Sequence, residues 1–209
     1  MRIFAAADLH NRSLGDLKID GVDTVIVAGD FTNADGVEFA KETVKKLEEI
    51  FPDSRILAVP GNMDVEGVLN YLEEKGVSIH GKVVEIDGIK IGGLGGSNIT
   101  PFSTPFELEE KEIENILKGI ECDIAVIHTP PLGYYDWIAG NSVGSRAVKE
   151  WMEKMKPKIL ICAHIHEYEG VAKAGDTLIV KLGTLMNGRA AIIDTDDEFR
   201  NIIVSFVKI

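Results

Sequence analysis

The chain has 209 residues, enough to bury a substantial hydrophobic core, and we interpret it as a single domain spanning residues 1–209. Its 34 acidic and 22 basic residues give a formal charge of −12, which argues against an extended surface for DNA or RNA because such surfaces depend on Lys and Arg. The two cysteines form no CxxC pair, and neither a signal peptide nor the roughly 20 apolar residues of a membrane span are recognisable, so we expect a cytoplasmic protein with no membrane partner.

The strands are predicted from continuous apolar runs rich in β-branched residues. Seven such runs precede the last quarter of the chain, at residues 2–7, 23–28, 55–59, 82–87, 89–94, 123–127 and 158–162. The last quarter is interpreted as two hairpins, which pair 170–174 with 177–181 and 189–194 with 199–207. Helical patterns separate most of the earlier strands, so we expect an α/β architecture with parallel strands in front and an antiparallel portion behind.

Four helices are predicted, at residues 37–51, 65–75, 104–117 and 145–156. Apolar residues spaced by three and four give the first helix one apolar face, and Asp35 with Glu38 resembles a capping pair at its start. Asp64 is expected to cap the second helix, because Asp is a favoured N-cap residue. The third helix is expected to begin at Thr104, which is followed by a proline and, three residues on, by Glu107.

Polar side chains follow five of the predicted strands. They are Asp8 with His10, Asp30, Asn62, His128, and His164 with His166. The carboxyl ends of strands in α/β sheets are where ligands bind, so we expect these side chains to form one cluster at one sheet edge. A lone histidine there would most often be structural, but so many buried polar groups require partners, and divalent metal ions supply them.

Two metal ions are expected rather than one, because seven ligands exceed the number that a tetrahedral ion takes. Two ions that share a bridging carboxylate accommodate the whole set. Imidazole together with carboxylate favours Mn, Fe, Zn, Co or Ni as the metal, and we expect Mn to serve in vitro.

The order of these motifs, Asp-x-His, Gly-Asp, Gly-Asn-x-Asp, His and His-x-His, resembles that of the calcineurin-like metallophosphoesterases over most of the chain. The resemblance implies an α/β fold (α+β by some schemes), a four-layer αββα sandwich of two mixed sheets packed face to face between flanking helices. It also implies hydrolysis of a small phosphomonoester or phosphodiester by a hydroxide held between two metals. Nucleotide and aryl esters are both left open as substrates.

The resemblance further implies how the seven side chains divide between the metals. Asp8, His10 and His166 would hold the first metal, Asn62, His128 and His164 would hold the second, and Asp30 would bridge the two. Direct catalytic roles are accordingly assigned to Asp30, Asn62 and His164.

One position departs from the family pattern. Met63 stands where the family usually has a histidine that contacts the phosphate and assists the leaving group. Methionine cannot donate a proton, so we expect reduced activity, or activity narrowed toward aryl esters and some diesters. His80 is the one histidine outside the predicted cluster, and nothing in its spacing indicates that it substitutes. The departure also motivates an alternative function, a non-catalytic binding or scaffold protein that keeps the fold and the metals.

Two further segments have open interpretations. The glycine-rich run at 92–96 either gives loop flexibility, which we favour, or cradles a phosphate with backbone amides. Tyr134, Tyr135 and Trp137 either stack on an aromatic substrate group or form a lid that packs on the protein or on a second subunit, so a homodimer is left open.

Overall fold

The computed structural model describes residues 1–15 and 17–209, and residue 16, within the polar connection expected at 11–21, lies outside the described part. The described residues form four helices, α1 (Glu38–Ile50), α2 (Glu66–Glu74), α3 (Glu110–Leu117) and α4 (Arg146–Met155). The strands are β1 (Arg2–Ala6), β2 (Thr24–Ala28), β3 (Arg55–Val59), β4 (Val83–Ile86), β5 (Ile89–Leu94), β6 (Ser97–Asn98), β7 (Glu107–Leu108), β8 (Ile124–Ile127), β9 (Trp137–Ile138), β10 (Asn141–Ser142), β11 (Ile159–Cys162), β12 (Gly170–Ala174), β13 (Thr177–Lys181), β14 (Arg189–Thr195) and β15 (Ile202–Lys208).

Two large mixed sheets contain most of these strands. The first has the order β15-β14-β1-β2-β3, in which β1, β2 and β3 are parallel and the other two pair antiparallel. The second has the order β12-β13-β11-β8-β5-β4, with four parallel strands between antiparallel edges. The two predicted C-terminal hairpins, β12–β13 and β14–β15, are therefore confirmed. The turn Asp87-Gly88 between the predicted strands at 82–87 and 89–94 likewise forms the hairpin β4–β5, and all three hairpins lie at sheet edges.

Both sheets are apolar on both faces, which explains their continuous apolar runs. Ala5 and Ile26 of the first sheet share one buried cluster with Val126 and Ile161 of the second, so these faces pack against each other. The outer face of the first sheet packs on α1 and α2, and the outer face of the second packs on α3 and α4. This order of layers confirms the αββα fold. In the described part of the chain, no helix has the length and apolar character that crossing a membrane requires.

Two predicted helix caps are wrong. The N-cap of α1 is Val37, which makes no side-chain capping bond, and Asp35 instead accepts a hydrogen bond from Asn11 Nδ2 at 2.5 Å. The N-cap of α2 is Val65, because the Asp64 carboxylate is directed to backbone N–H groups of Phe31 and Thr32 in the loop after β2 and of Gly61 in its own loop. In both cases a contact distant in sequence uses the carboxylate that the local pattern assigned to a helix end.

The predicted start of the third helix at Thr104 is also wrong. The helix α3 begins at Glu110, where Glu109 and Glu112 form a capping box. Glu107 accepts hydrogen bonds from the backbone N–H and the hydroxyl of Thr104 at 2.8 and 2.7 Å. These bonds close a compact loop, so the threonine and the glutamate satisfy each other without starting a helix.

The favoured interpretation of the glycine run as a flexible loop is wrong. Gly92 and Gly93 lie within β5, and a Cβ added at Gly93 would come within 2.7 Å of Val59 Cγ1 in the facing sheet. A Cβ added at Gly95 would come within 2.5 Å of Pro60. The glycines therefore allow β5 and the segment after it to approach β3 more closely than any side chain would permit.

Candidate metal centre

The seven side chains expected in the cluster come together at the carboxyl ends of five strands. The strands β1, β2 and β3 lead to Asp8 with His10, Asp30 and Asn62, and the strands β8 and β11 lead to His128 and to His164 with His166. The expectation of a single sheet edge is wrong, since the first three strands belong to one sheet and the other two to the facing sheet. The cluster lies where the ends of the two sheets meet.

Two overlapping groups of ligand atoms are present among the described residues. The first group takes one atom each from Asp8, His10, Asp30 and His166, and the second takes one each from Asp30, His128 and His164. Within each group all atoms lie within 4.8 Å of one another. The shared residue is Asp30, whose Oδ2 lies 3.6 Å from His10 Nε2 and 3.5 Å from His128 Nε2.

Asn62 joins the second group through its side-chain oxygen. This Oδ1 lies 3.0 Å from His128 Nε2 and 2.7 Å from His164 Nδ1. The amide nitrogen donates to Thr104 Oγ1 at 3.0 Å, which fixes the oxygen toward the two imidazoles. The second group is thus a set of oxygen and imidazole donors, the combination that transition metals favour.

Hydrogen bonds behind the cluster orient two of its histidines. His128 Nδ1 lies 2.7 Å from the carbonyl oxygen of Ala28, which only accepts, so Nδ1 carries a hydrogen and Nε2 faces the cluster. His10 Nδ1 lies 2.9 Å from Asn33 Oδ1, and the amide nitrogen of Asn33 donates to the His10 carbonyl at 3.2 Å. Each ring is therefore held from behind, as metal-ligating histidines usually are.

The backbone is strained where the strands end. Asp8, His10, Asp30 and His164 all have positive φ angles, of 54°, 48°, 53° and 71°. This left-handed conformation costs a residue with a side chain about 1–2 kcal/mol. Positions with such strain cluster at functional sites, where tertiary contacts hold them in place. Here the tight turns direct four polar side chains into one small volume.

Asp64 links the loops on either side of the cluster. Its buried carboxylate accepts hydrogen bonds from the backbone N–H groups of Phe31, Thr32 and Gly61 at 3.1, 2.9 and 2.8 Å. Burial raises the pKa of Asp64 to about 6, the charge of Asp30 adds to this effect, and the three backbone bonds oppose it. The residue therefore fixes the loop after β3 against the loop after β2.

The electrostatics of the cluster are dominated by Asp30. Burial acts to raise the pKa of Asp30, but the charges of His128 and His10 outweigh burial and lower that pKa to about 2. Burial acts to lower the pKa of His128, but the Asp30 carboxylate outweighs it and raises that pKa to about 9. Burial and the charge of His128 lower the pKa of His164 to about 3, so this imidazole stays neutral. A divalent cation would compete with the proton on His128, because both are attracted by the same carboxylate.

The residues fit a divalent metal site. Asp8 is completely buried, and its Oδ2 has no hydrogen-bond partner among the described residues. Nearby, His10 Nε2 lies 3.2 Å from His166 Nε2, which lies 3.9 Å from Asp8 Oδ1. A buried carboxylate oxygen without a partner is costly, and a cation between these atoms would remove that cost.

Met63 adjoins the metal centre, whereas His80 packs against a loop outside the two ligand groups. The backbone N–H of Met63 donates to Asp30 Oδ1 at 2.8 Å, so this residue adjoins the centre. His80 belongs to neither ligand group of the described residues. Its Nδ1 accepts from the N–H of Gly95 at 2.9 Å, and its ring centre lies 5.4 Å from that of Phe106. His80 is therefore engaged in loop packing, and its contacts among the described residues give it no role in the cluster.

Three supporting residues had no recognisable signal in the sequence. Asn33 and Thr104 hold His10 and Asn62 as described above, and Lys181 lies close enough to Asp8 for their charges to interact. The Lys181 side chain is fully buried, and its Nζ donates to the carbonyls of Leu182 at 2.7 Å and Tyr168 at 3.3 Å. The partners of Asn33 and Thr104 are distant in the sequence, so no local spacing marks these two residues.

The aromatic segment divides into a packed part and an exposed part. Tyr134 and Tyr135 contact the hydrophobic cluster on the outer face of the second sheet. Trp137 is 59% exposed, and its carbonyl accepts a hydrogen bond from the Tyr168 hydroxyl at 2.8 Å. The two tyrosines thus pack on the protein, whereas the side chain of Trp137 is exposed to solvent.

Comparisons with known proteins agree with this geometry. The family model described as calcineurin-like phosphoesterase matches residues 1–168. The uncharacterized protein MJ1162 of Methanocaldococcus jannaschii is 34% identical over 195 residues, which cover 86% of this chain and 87% of that protein. The structure of TT1561 from Thermus thermophilus shares the fold with a TM-score of 0.71 at 19% identity, covering 98% of this chain and 97% of that one. A structure described as a novel archaeal phosphodiesterase shares it with a TM-score of 0.54 at 17% identity, covering 99% and 100% of the two chains.

Proposed function

Because the chain belongs to the calcineurin-like phosphoesterase family, we propose that it is a dinuclear metal-dependent phosphoesterase acting on a small phosphomonoester or phosphodiester. The observation that carries this proposal is the position of Asp30, whose Oδ2 faces histidines of two separate ligand groups. A carboxylate in that position can bridge two cations, as in two-metal hydrolases.

The proposed ligand sets follow the two groups. Asp8, His10 and His166 would hold one metal, Asn62, His128 and His164 would hold the other, and Asp30 would belong to both. When bound, two such ions supply Lewis acidity, which lowers the pKa of a coordinated water and neutralises charge on phosphoryl oxygens.

The two ligand sets differ in charge, because Asn62 contributes a neutral amide where a carboxylate would add negative charge. The first set includes the carboxylates of Asp8 and Asp30, whereas the second has only the Asp30 carboxylate and a neutral amide from Asn62. With metals bound, more positive charge would therefore remain on the side of Asn62, and this side would suit the phosphoryl oxygens of a substrate. His164, which burial keeps neutral, completes this side without adding charge.

Met63 limits the reaction in this proposal. A histidine next to Asn62 could protonate the leaving oxygen, whereas a thioether has no proton to give. Loss of a general acid typically costs about 10²–10⁴ in rate, and the cost is smallest for leaving groups that are stable as anions. We therefore infer that the enzyme favours esters whose leaving group departs without a proton.

Metal binding and hydrolysis together test the proposed function. Protein stripped with a chelator and titrated with Mn²⁺ should bind two ions and then hydrolyse bis(p-nitrophenyl) phosphate. Asp8→Asn and His164→Ala should each lower kcat/KM by at least about 10³, because each removes a direct ligand. Asp176→Asn, at an exposed aspartate of a hairpin turn, is the matched control and should keep both properties. Full metal-stimulated turnover in the ligand variants would contradict the proposal.

The alternative function, a non-catalytic scaffold, rests on Met63 alone. Turnover by the Met63→His variant distinguishes this scaffold from a specialised enzyme. If the wild type is a specialised enzyme, the histidine should raise turnover of alkyl phosphoesters by tenfold or more, with a smaller gain for nitrophenyl esters. Equal, near-background rates in both proteins despite two bound metals would favour the scaffold.

A further inference from the structure

A cleft with a volume of about 760 Å³ opens directly beside the metal centre. One wall is the loop at residues 98–102, and the other is the segment at 138–144 that includes the turn and second strand of the β9–β10 hairpin. The segment at 164–167 closes one end, so His164 and His166 belong both to the ligand groups and to the cleft. A group attached to a phosphorus atom at the metals could extend into this cleft.

The walls of the cleft carry large apolar side chains that are unusually exposed. Phe102 is 81% exposed, Ile99 is 55% exposed and Val143 is 37% exposed. They are three of the eight large hydrophobic side chains exposed in the described part of the chain. Apolar groups concentrated at one place on a surface mark binding sites more often than scattered ones do.

The two walls are joined to each other and to the centre by hydrogen bonds. Asn98 Nδ2 donates to the Val143 carbonyl at 3.0 Å, and Asn98 Oδ1 accepts from Thr129 Oγ1 at 2.9 Å, close behind His128 in the chain. On the Phe102 side, the Phe102 N–H donates to Thr100 Oγ1 at 3.1 Å. The cleft is thus largely preformed, as small-molecule sites usually are.

The cleft is unsuited to additional negative charge. Among the described residues that line it, none is Lys or Arg, and Glu167 contributes a carboxylate. An anionic group placed between apolar walls loses hydration without gaining a cation. Charged substituents such as further phosphates are therefore disfavoured there, whereas an uncharged aromatic ring would be stabilised by burying apolar surface.

We propose that this cleft is the leaving-group subsite and that it selects aryl phosphoesters whose aryl group is uncharged, with Phe102 as a main contact. This inference rests on the proposed function and adds its substrate class. Two independent features favour the same class: Met63 supplies no proton to the leaving group, and the walls are apolar. In the reaction, the oxygen of water bonds to phosphorus and the bond from phosphorus to the aryl oxygen breaks. The electron pair leaves on a phenolate, and both protons of the water remain with the phosphate.

The test compares an acyl phosphate and two aryl phosphoesters on the Mn²⁺-loaded protein. Acetyl phosphate has a small leaving group that needs no proton, 1-naphthyl phosphate has a large uncharged one, and 4-carboxyphenyl phosphate has a charged one. We expect kcat/KM for 1-naphthyl phosphate to exceed that for 4-carboxyphenyl phosphate by at least tenfold. The two phenols have similar pKa values, so the ratio reports the charge of the leaving group and not its intrinsic leaving ability. Phe102→Ala should lower the ratio of the naphthyl to the acetyl value about tenfold, and Phe102→Lys should shift preference toward the carboxylated ester.

A binding measurement on metal-free protein provides a readout without turnover. In saturation-transfer NMR, 1-naphthol should give a signal with the wild type that Phe102→Ala weakens. The matched control is Ile203→Ala, because Ile203 is 61% exposed on β15 and does not line the cleft. This control should retain both the signal and the ratio of kcat/KM values.

The outcomes separate this inference from the proposed function. An unchanged ratio in Phe102→Ala, or a preference of the wild type for the carboxylated ester, would overturn the leaving-group subsite while hydrolysis of bis(p-nitrophenyl) phosphate upheld the phosphoesterase. Absence of metal-dependent hydrolysis of these three compounds and of bis(p-nitrophenyl) phosphate would overturn both.

Discussion

The metal centre and the apolar cleft beside it differ in burial, in backbone strain and in how closely they are packed. In the centre, Asp8 and His128 are completely buried, several residues adopt strained backbone angles, and glycines permit contacts too close for any side chain. In the cleft, Phe102 is largely exposed and its loop is held by a few hydrogen bonds. We infer that the geometry of the ligands depends on the packing of both sheets, whereas the apolar walls of the cleft depend on two surface loops. Substitutions in the first region should therefore have large effects, and those in the second should alter selectivity.

The largest effect is expected from Gly61→Ala, which acts on the centre alone. A Cβ at Gly61 would overlap the Asp30 carboxylate, and neither group can move, because Asp30 accepts from the Met63 N–H and Gly61 donates to Asp64. We expect loss of at least one metal in calorimetric titration and a fall in turnover of about 10³ or more, since misplacing a ligand disrupts both.

A glycine within a helix provides the control for this substitution. A Cβ at Gly67 in α2 would have its nearest neighbour at 3.9 Å, so Gly67→Ala should bind both metals normally. It should also raise the free energy of unfolding by up to about 1 kcal/mol, because alanine favours a helix. Normal metal binding in Gly61→Ala would show that the centre is less closely packed than its contacts indicate.

An intermediate effect is expected from Asp64→Ala, which separates the loops around the centre. The substitution leaves the N–H groups of Phe31, Thr32 and Gly61 without their buried acceptor. Each unsatisfied donor costs about 1–3 kcal/mol, so the free energy of unfolding should fall by about 3 kcal/mol or more in urea titration. Asp64→Asn keeps one acceptor oxygen and should lose less. Equal stability of Asp64→Ala and wild type would mean that water replaces these bonds without cost.

The smallest effect is expected from Glu107→Gln, which acts on the loop at 100–107 beside the cleft. Burial acts to raise the pKa of Glu107, but hydrogen bonds from Thr100 and Thr104 outweigh it and lower that pKa from 4.5 to about 2. Because the folded-state pKa is lowered, the stabilisation is complete above about pH 4.5 and is lost as the pH falls toward about 2. The melting temperature of Glu107→Gln should be a few degrees lower at neutral pH, and the difference from wild type should shrink between pH 4.5 and 2.

This variant also tests the connection between the two regions. Thr104 contacts both Glu107 and the amide of Asn62, so it joins the loop to the second ligand group. We expect Glu107→Gln to change the affinity of one metal only slightly, because the bond between Thr104 and Asn62 does not need the glutamate charge. A loss of metal binding as severe as in Gly61→Ala would show that the centre depends on this loop.

The sequence alone was enough to predict the strands of the two large sheets, the C-terminal hairpins and the polar residues at the strand ends, but not the four two-residue strands β6, β7, β9 and β10. These features are local, since a buried strand requires a continuous apolar run and a strand end can be recognised by the polar residue that follows it. The same locality misled the predictions for Asp35 and Asp64, where a capping pattern matched but contacts distant in sequence were more favourable. At Thr104 the capping pattern was also present, but Thr104 and Glu107 bond to each other in a loop that precedes the helix.

The assignment of each ligand to one of the two sheets follows from tertiary packing. His128 and His164 follow strands of one sheet and Asp8, Asp30 and Asn62 follow strands of the other, which no spacing along the chain reveals. Tertiary packing also decided that the glycines at 92–96 serve close packing and that an apolar cleft adjoins the ligands. The physical reason is that packing two sheets face to face sets distances between residues far apart in the chain, and these distances determine which polar groups share a cation and which apolar groups stay exposed.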